Sequence, residues 1–84
     1  MTLPGLYRFG NHIWVEILRQ DDGLVIDLTN AASRNGVGYF RAHSPLFPME
    51  TGAFSTRIRE VTLEHVGNLR IIWKGFELPL TRIR

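Results

Sequence analysis

The chain has 84 residues, 44% of them hydrophobic, with nine aromatics, no cysteine and a net charge of +2. That length fits one domain, 1–84, and the apolar content separates it from disordered chains. Without cysteine there is no disulfide framework, thiolate nucleophile or zinc ribbon, and no run reaches the ~18 apolar residues of a membrane span.

The N-terminal stretch lacks a basic region followed by an apolar run, which predicts no secretory signal and a cytoplasmic protein. Nine of the ten cations are Arg, whose planar fork of donors suits carboxylates, phosphates and aromatic faces better than the point charge of Lys. They are unevenly placed. Residues 1–28 hold Arg8 and Arg19 against Glu16, Asp21, Asp22 and Asp27, whereas 57–84 hold Arg57, Arg59, Arg70, Lys74, Arg82 and Arg84 against Glu60, Glu64 and Glu77.

In chain order, Pro4 and Gly5 signal a turn, and Leu6, Tyr7, Arg8 and Phe9 follow as a short edge strand. Gly10 and Asn11 form a turn into the most strongly patterned stretch, 11–29. There Ile13, Val15 and Ile17 share one face of an extended chain, and Leu24, Ile26 and Leu28 share one face of a second. The intervening Gln20-Asp21-Asp22-Gly23 predicts a β-hairpin turning on Asp22 and Gly23, since Gly accepts positive φ and Asp tolerates it. The six alternating apolar residues are the candidate core.

Residues 29–38 change character, and Asn30, Asn35, Gly36 and Gly38 permit at most one short helical turn near 30–34. Residues 37–42 return to a strand carrying Tyr39 and Phe40. From 43 to 56 no period is visible. Pro45, Pro48 and Gly52 interrupt regular structure, which predicts a long loop, yet this loop contains Leu46, Phe47, Met49 and Phe54.

The pattern over 57–66 reads as a strand with Arg59, Val61, Leu63 and His65 on one face, because a helix would present a poor apolar stripe. Gly67 and Asn68 mark a further hairpin turn. Leu69, Ile71 and Trp73 alternate in the next strand, and Lys74 with Gly75 is a tight turn or a bulge. Phe76, Leu78 and Leu80 give a last strand, which Pro79 confines to an edge or to a ladder position that needs no donor. The predicted class is all-β: a single small antiparallel barrel or sandwich of about six short strands, of SH3-like or OB-like size.

Chemical motifs are sparse. His12, His43 and His65 stand 31 and 22 residues apart, without metal-ligand spacing. His43 and Ser44 are neighbours, so in an extended chain they point to opposite sides and form no nucleophile and base pair. Gly36-Val37-Gly38 lacks the strand, helix and third glycine of a phosphate cradle. No catalytic residue, metal ligand or cofactor is therefore predicted, and the chain is read as a non-enzyme.

Two binding surfaces remain. One is a protein interface built on the 43–56 segment, with Leu46, Phe47, Met49 and Phe54 as anchors, Arg41 and Arg57 at the rim, and acidic Asp21 and Asp22 at the hairpin tip. A homodimer is one form of it. A partner with a basic groove, such as a host nucleic-acid-processing complex, is another; the protein would then resemble in role the small inhibitors by which phages and mobile elements block host defence, in the manner of an anti-CRISPR protein. The alternative surface is a site for nucleic acid or nucleotide made of Arg57, Arg59, Arg70, Lys74, Arg82 and Arg84, with Trp73 or Tyr39 available for stacking.

Overall fold

A computed structural model describes residues 3–30 and 40–84. Among these residues the strands are β1 (Gly5–Phe9), β2 (Ile13–Gln20), β3 (Gly23–Asn30), β4 (Phe40–Pro48), β5 (Ala53–Ser55), β6 (Val61–Val66), β7 (Asn68–Trp73), β8 (Phe76–Pro79) and β9 (Thr81–Arg82). All neighbours are antiparallel, in the order β8-β7-β6-β5-β4-β3-β2-β1-β9. The two ends of that order are consecutive in sequence, separated by Leu80 alone. One bent run of chain thus serves β7 with its first half and β1 with its second, curling the sheet into a nearly closed barrel.

The class is the expected one, all-β and small. The nine strands exceed the expected six because bends divide continuous runs and because one predicted loop is itself paired. The hairpin of β2 and β3 holds the predicted faces: Ile13, Val15, Ile17, Ile26 and Leu28 are buried in the core, and Leu24 packs against it half-buried. Burying each such side chain stabilises the fold by roughly 1.5–3 kcal/mol. Its turn lies one residue earlier than the sequence suggests. Gln20 pairs with Gly23, so Asp21 and Asp22 are the central residues, and Asp21 takes the left-handed φ of 53°.

β1 is not an edge strand, since β9 covers the side that β2 leaves open. The Leu6 amide donates to the Arg84 carbonyl at 2.9 Å, and the Ile83 amide donates to the Leu6 carbonyl at 2.7 Å. Asn30 ends β3 as a strand residue, while the rest of the helical turn expected near 30–34 lies outside the described residues, as does Tyr39.

The predicted loop at 43–56 is the main correction. β4 runs through it to Pro48, pairing with β3 over 40–46 and then with β5 at Phe47 and Pro48. Pro45 is compatible with the strand because it faces Val25. Counting from the closing pair of Gln20 and Gly23, that is a position exchanging no backbone hydrogen bonds, so no donor is missed. At the following reversal the Gly52 amide donates to the Met49 carbonyl at 3.2 Å and the Met49 amide to the Ala53 carbonyl at 2.9 Å. Gly52, at φ 85°, supplies the left-handed residue that such a three-residue hairpin loop requires.

The strand expected over 57–66 begins only at Val61. Thr56 Oγ1 accepts from the Ile58 amide at 3.1 Å and donates to the Val61 carbonyl at 2.7 Å, holding residues 57–60 as a corner. Ile58 is buried beneath it. Lys74 and Gly75 both have positive φ, 52° and 84°, so they form a two-residue turn rather than a bulge. β8 is paired on one side only, and Pro79 faces Arg70 there, in agreement with its expected edge position.

Candidate functional site

Strand parity divides the outer surface into two regions of different chemistry. The first crosses β2, β3 and β4. Leu18 faces Val25 and Val25 faces Pro45, all on the side opposite the core, and Phe47 is the next outward residue along β4. Val25 is buried between its neighbours, whereas Leu18, Phe47 and Met49 keep 42%, 37% and 47% of their surface exposed. They form an apolar strip that rises toward the β4–β5 hairpin loop. On one side it is flanked by the outward row Glu16, Asp27 and His43, and beyond its other end Asp21 and Asp22 form the exposed β2–β3 tip.

The rim charges are partly fixed. Arg41 spans to Asp27 with Nη2 3.1 Å from Oδ2 and Nε 3.4 Å from Oδ1, a two-pronged contact between β4 and β3. The Arg57 guanidinium lies 5.4 Å from the centroid of the Phe47 ring, close enough for cation–π attraction. Of the residues expected at a protein interface, Phe47, Met49, Arg41, Asp21 and Asp22 are accessible. Leu46 is not: at 6% exposure it faces inward with Leu24 and belongs to the core. Phe54 is half-buried and packs on that core too, opposite Leu63. Parity explains both: β4 turns Leu46 inward and Phe47 outward, and Phe54 on β5 lies opposite the inward-facing Leu63.

The second region is a cleft of about 660 Å³ at one mouth of the barrel, lined by Ala42, His43, Arg57, Ile58, Arg59, Glu60, Trp73 and Lys74. It forms where the first half of β4 pairs with β3 alone and the 57–60 corner stands off from it. The corner is tied down on both flanks. The Arg57 amide donates to the buried Ser44 Oγ at 2.8 Å, and the Lys74 amide donates to the Glu60 carbonyl at 3.1 Å.

The six cations of the alternative surface do not act as one group. Arg57, Arg59 and Lys74 meet at this cleft. Arg70 is held by Glu64 at 2.9 Å and Glu77 at 3.4 Å. Arg82 donates to the Tyr7 hydroxyl at 2.9 Å and the Pro4 carbonyl at 2.8 Å, and packs on the Tyr7 ring, so it braces the β1–β9 junction. Arg84 is exposed beside that junction. The sequence could not separate these roles, because cross-strand partners such as Glu64 opposite Arg70 depend on register.

Among the described residues no group of three or more His, Asp or Glu side chains is placed to hold a metal ion. Among the described residues no helix is long and apolar enough to cross a membrane. Comparison of the chain with protein-family models, curated proteins and solved structures finds no match.

Proposed function

We propose that the protein is a non-enzymatic binding module that docks a protein partner through the outer face of β2, β3 and β4. The observation that carries this reading is the apolar strip of Leu18, Val25, Pro45, Phe47 and Met49 on the side of the sheet away from the core. Apolar centres ringed by charge are the usual anatomy of protein interfaces, and Met and aromatic residues are enriched in them. The acids Glu16, Asp21 and Asp22 at its margins, with Asp27 already matched by Arg41, favour a partner whose own rim is basic.

Nucleic-acid-processing complexes present such rims along the grooves that hold their substrates. A small protein seated there acts by occlusion, which is the role of an inhibitor carried by a phage or mobile element and working in the host cytoplasm. A second copy of the chain is the other occupant the strip can take. It buries the apolar centre but sets the acidic tips against like charge or against Arg19, Arg41 and Arg57.

The test is Phe47→Ala combined with Met49→Ala, both on exposed side chains and so expected to leave the unfolding free energy within about 1 kcal/mol of the parent. Capture of the partner from native host extract, quantified by mass spectrometry, should fall at least tenfold, and light scattering after size exclusion reads any self-association in parallel. Undiminished capture by the folded double variant removes the strip from the interface.

A further inference from the structure

We infer that the cleft at the barrel mouth is a phosphate-binding site for a nucleotide unit, either free or within a single strand of nucleic acid. Three observations converge on it. Arg57, Arg59 and Lys74 line one cleft with a single carboxylate, Glu60. By contrast, Arg41 is matched by Asp27 and Arg70 by Glu64 and Glu77. Arg57, Arg59 and Lys74 form no ion pair among the described residues. Unopposed cations in a concave site bounded by protein raise the local positive potential, which concentrates anions there.

The geometry of the backbone holds these charges in place. Arg57 and Arg59 stand on a corner anchored by Thr56 and Ser44, and Lys74 stands on a two-residue turn bonded to that corner through the Glu60 carbonyl. A volume of about 660 Å³ lies within the ordinary range for small-ligand sites and accommodates one nucleotide with part of the next. Trp73 contributes a half-buried aromatic wall and His43 a further polar edge. Phosphate recognised by Arg and Lys beside an aromatic side chain is the combination by which proteins hold single strands without reading sequence.

This site is separate from the apolar strip except at Arg57, which also rests on Phe47, and at His43, which stands in the row flanking the strip. The test therefore leaves Arg57 unchanged, and failure here is distinguishable from failure of the protein interface. The probe is a 5′-fluorescein-labelled ten-residue oligothymidylate, followed by anisotropy, with AMP as the competing free nucleotide. Arg59→Glu with Lys74→Glu reverses the cleft, and Arg19→Glu with Arg84→Glu makes the same change of net charge outside it.

Reversing the cleft should weaken oligonucleotide binding at least tenfold, and the control pair should leave it within twofold. With three phosphate contacts on a single strand, raising salt from 50 to 200 mM should weaken binding by the parent about 20-fold. Competition by AMP in the same concentration range as the strand identifies a free nucleotide as sufficient, and competition only by unlabelled strand identifies the polymer. Equal losses in both charge-reversed pairs, or no binding by the parent at 50 mM salt, overturns the site. Trp14→Phe leaves Trp73 as the sole tryptophan; emission unchanged at saturating oligonucleotide overturns the part assigned to the Trp73 wall.

Discussion

At the scale of single residues, the most constrained polar group is Ser44. Its side chain is fully buried, facing Ile26 across β3 and β4, and its hydroxyl donates to the Pro45 carbonyl at 2.7 Å while accepting from the Arg57 amide at 2.8 Å. One hydroxyl thus links β4 to the corner that carries Arg57 and Arg59. Ser44→Ala leaves the Arg57 amide without that acceptor, and an unsatisfied buried donor costs about 1–3 kcal/mol. The midpoint of urea denaturation should fall accordingly with its slope preserved, and an unchanged midpoint would show that the corner does not depend on this bond. The sequence offered Ser44 only as a neighbour of His43 and a poor nucleophile. Its actual place, inward on a strand that two prolines disguise, is fixed by strand register.

At the scale of elements, the reversals decide how well each hairpin is specified. Glycine occupies the left-handed position of the β4–β5 loop at Gly52 and the centre of the β6–β7 reversal at Gly67, φ 73°. The β2–β3 turn instead forces Asp21 to φ 53°. Asp tolerates that region better than most residues, and a β-branched side chain does not. Asp21→Val should therefore destabilise the fold by about 1–2 kcal/mol, whereas Asp21→Asn should be nearly neutral, both read from thermal unfolding. Equal stability of the two variants would place the turn elsewhere. Reading Asp22 and Gly23 as the turn was reasonable from residue preference alone. The pairing of Ile17 with Ile26 and Val15 with Leu28 overrides it, because a turn on Asp22 and Gly23 would slide the register by two residues and set Arg19 opposite Ile26 and Val15 opposite Asn30, breaking apolar cross-strand pairs.

At the scale of the whole molecule, closure depends on the C-terminal run continuing from β7 to β1. Gly5 sits where the run arrives: a Cβ there would lie 2.6 Å from the Arg84 carbonyl oxygen and 2.9 Å from Arg82 Nη2. Gly5→Ala should force β9 away from β1 and cost about 1–3 kcal/mol, the usual range for overpacking. Hydrogen exchange locates the effect. The Leu6 amide, which donates to Arg84 in the parent, should lose protection before the amides of β6 and β7. If Leu6 stays as protected as before, the closure does not need the glycine.

Alternation alone determined the all-β class, the β2–β3 hairpin and the strand of β7, because the two-residue period of a half-buried strand is written directly in the order of apolar residues, while the missing amide of Pro79 limited its strand to an edge or to a ladder position that needs no donor. Composition, not period, drew attention to the apolar segment around Phe47 and to the basic C-terminal third. Only the tertiary structure decided that Leu46 is core while Phe47 is surface, that β4 bends from one strand partner to the next, and that three of six candidate cations share a cleft while Arg70 and Arg82 are already engaged. Those outcomes follow from pairing between residues distant in sequence, and a local pattern carries no information about which carboxylate or strand edge a side chain will meet once the barrel closes.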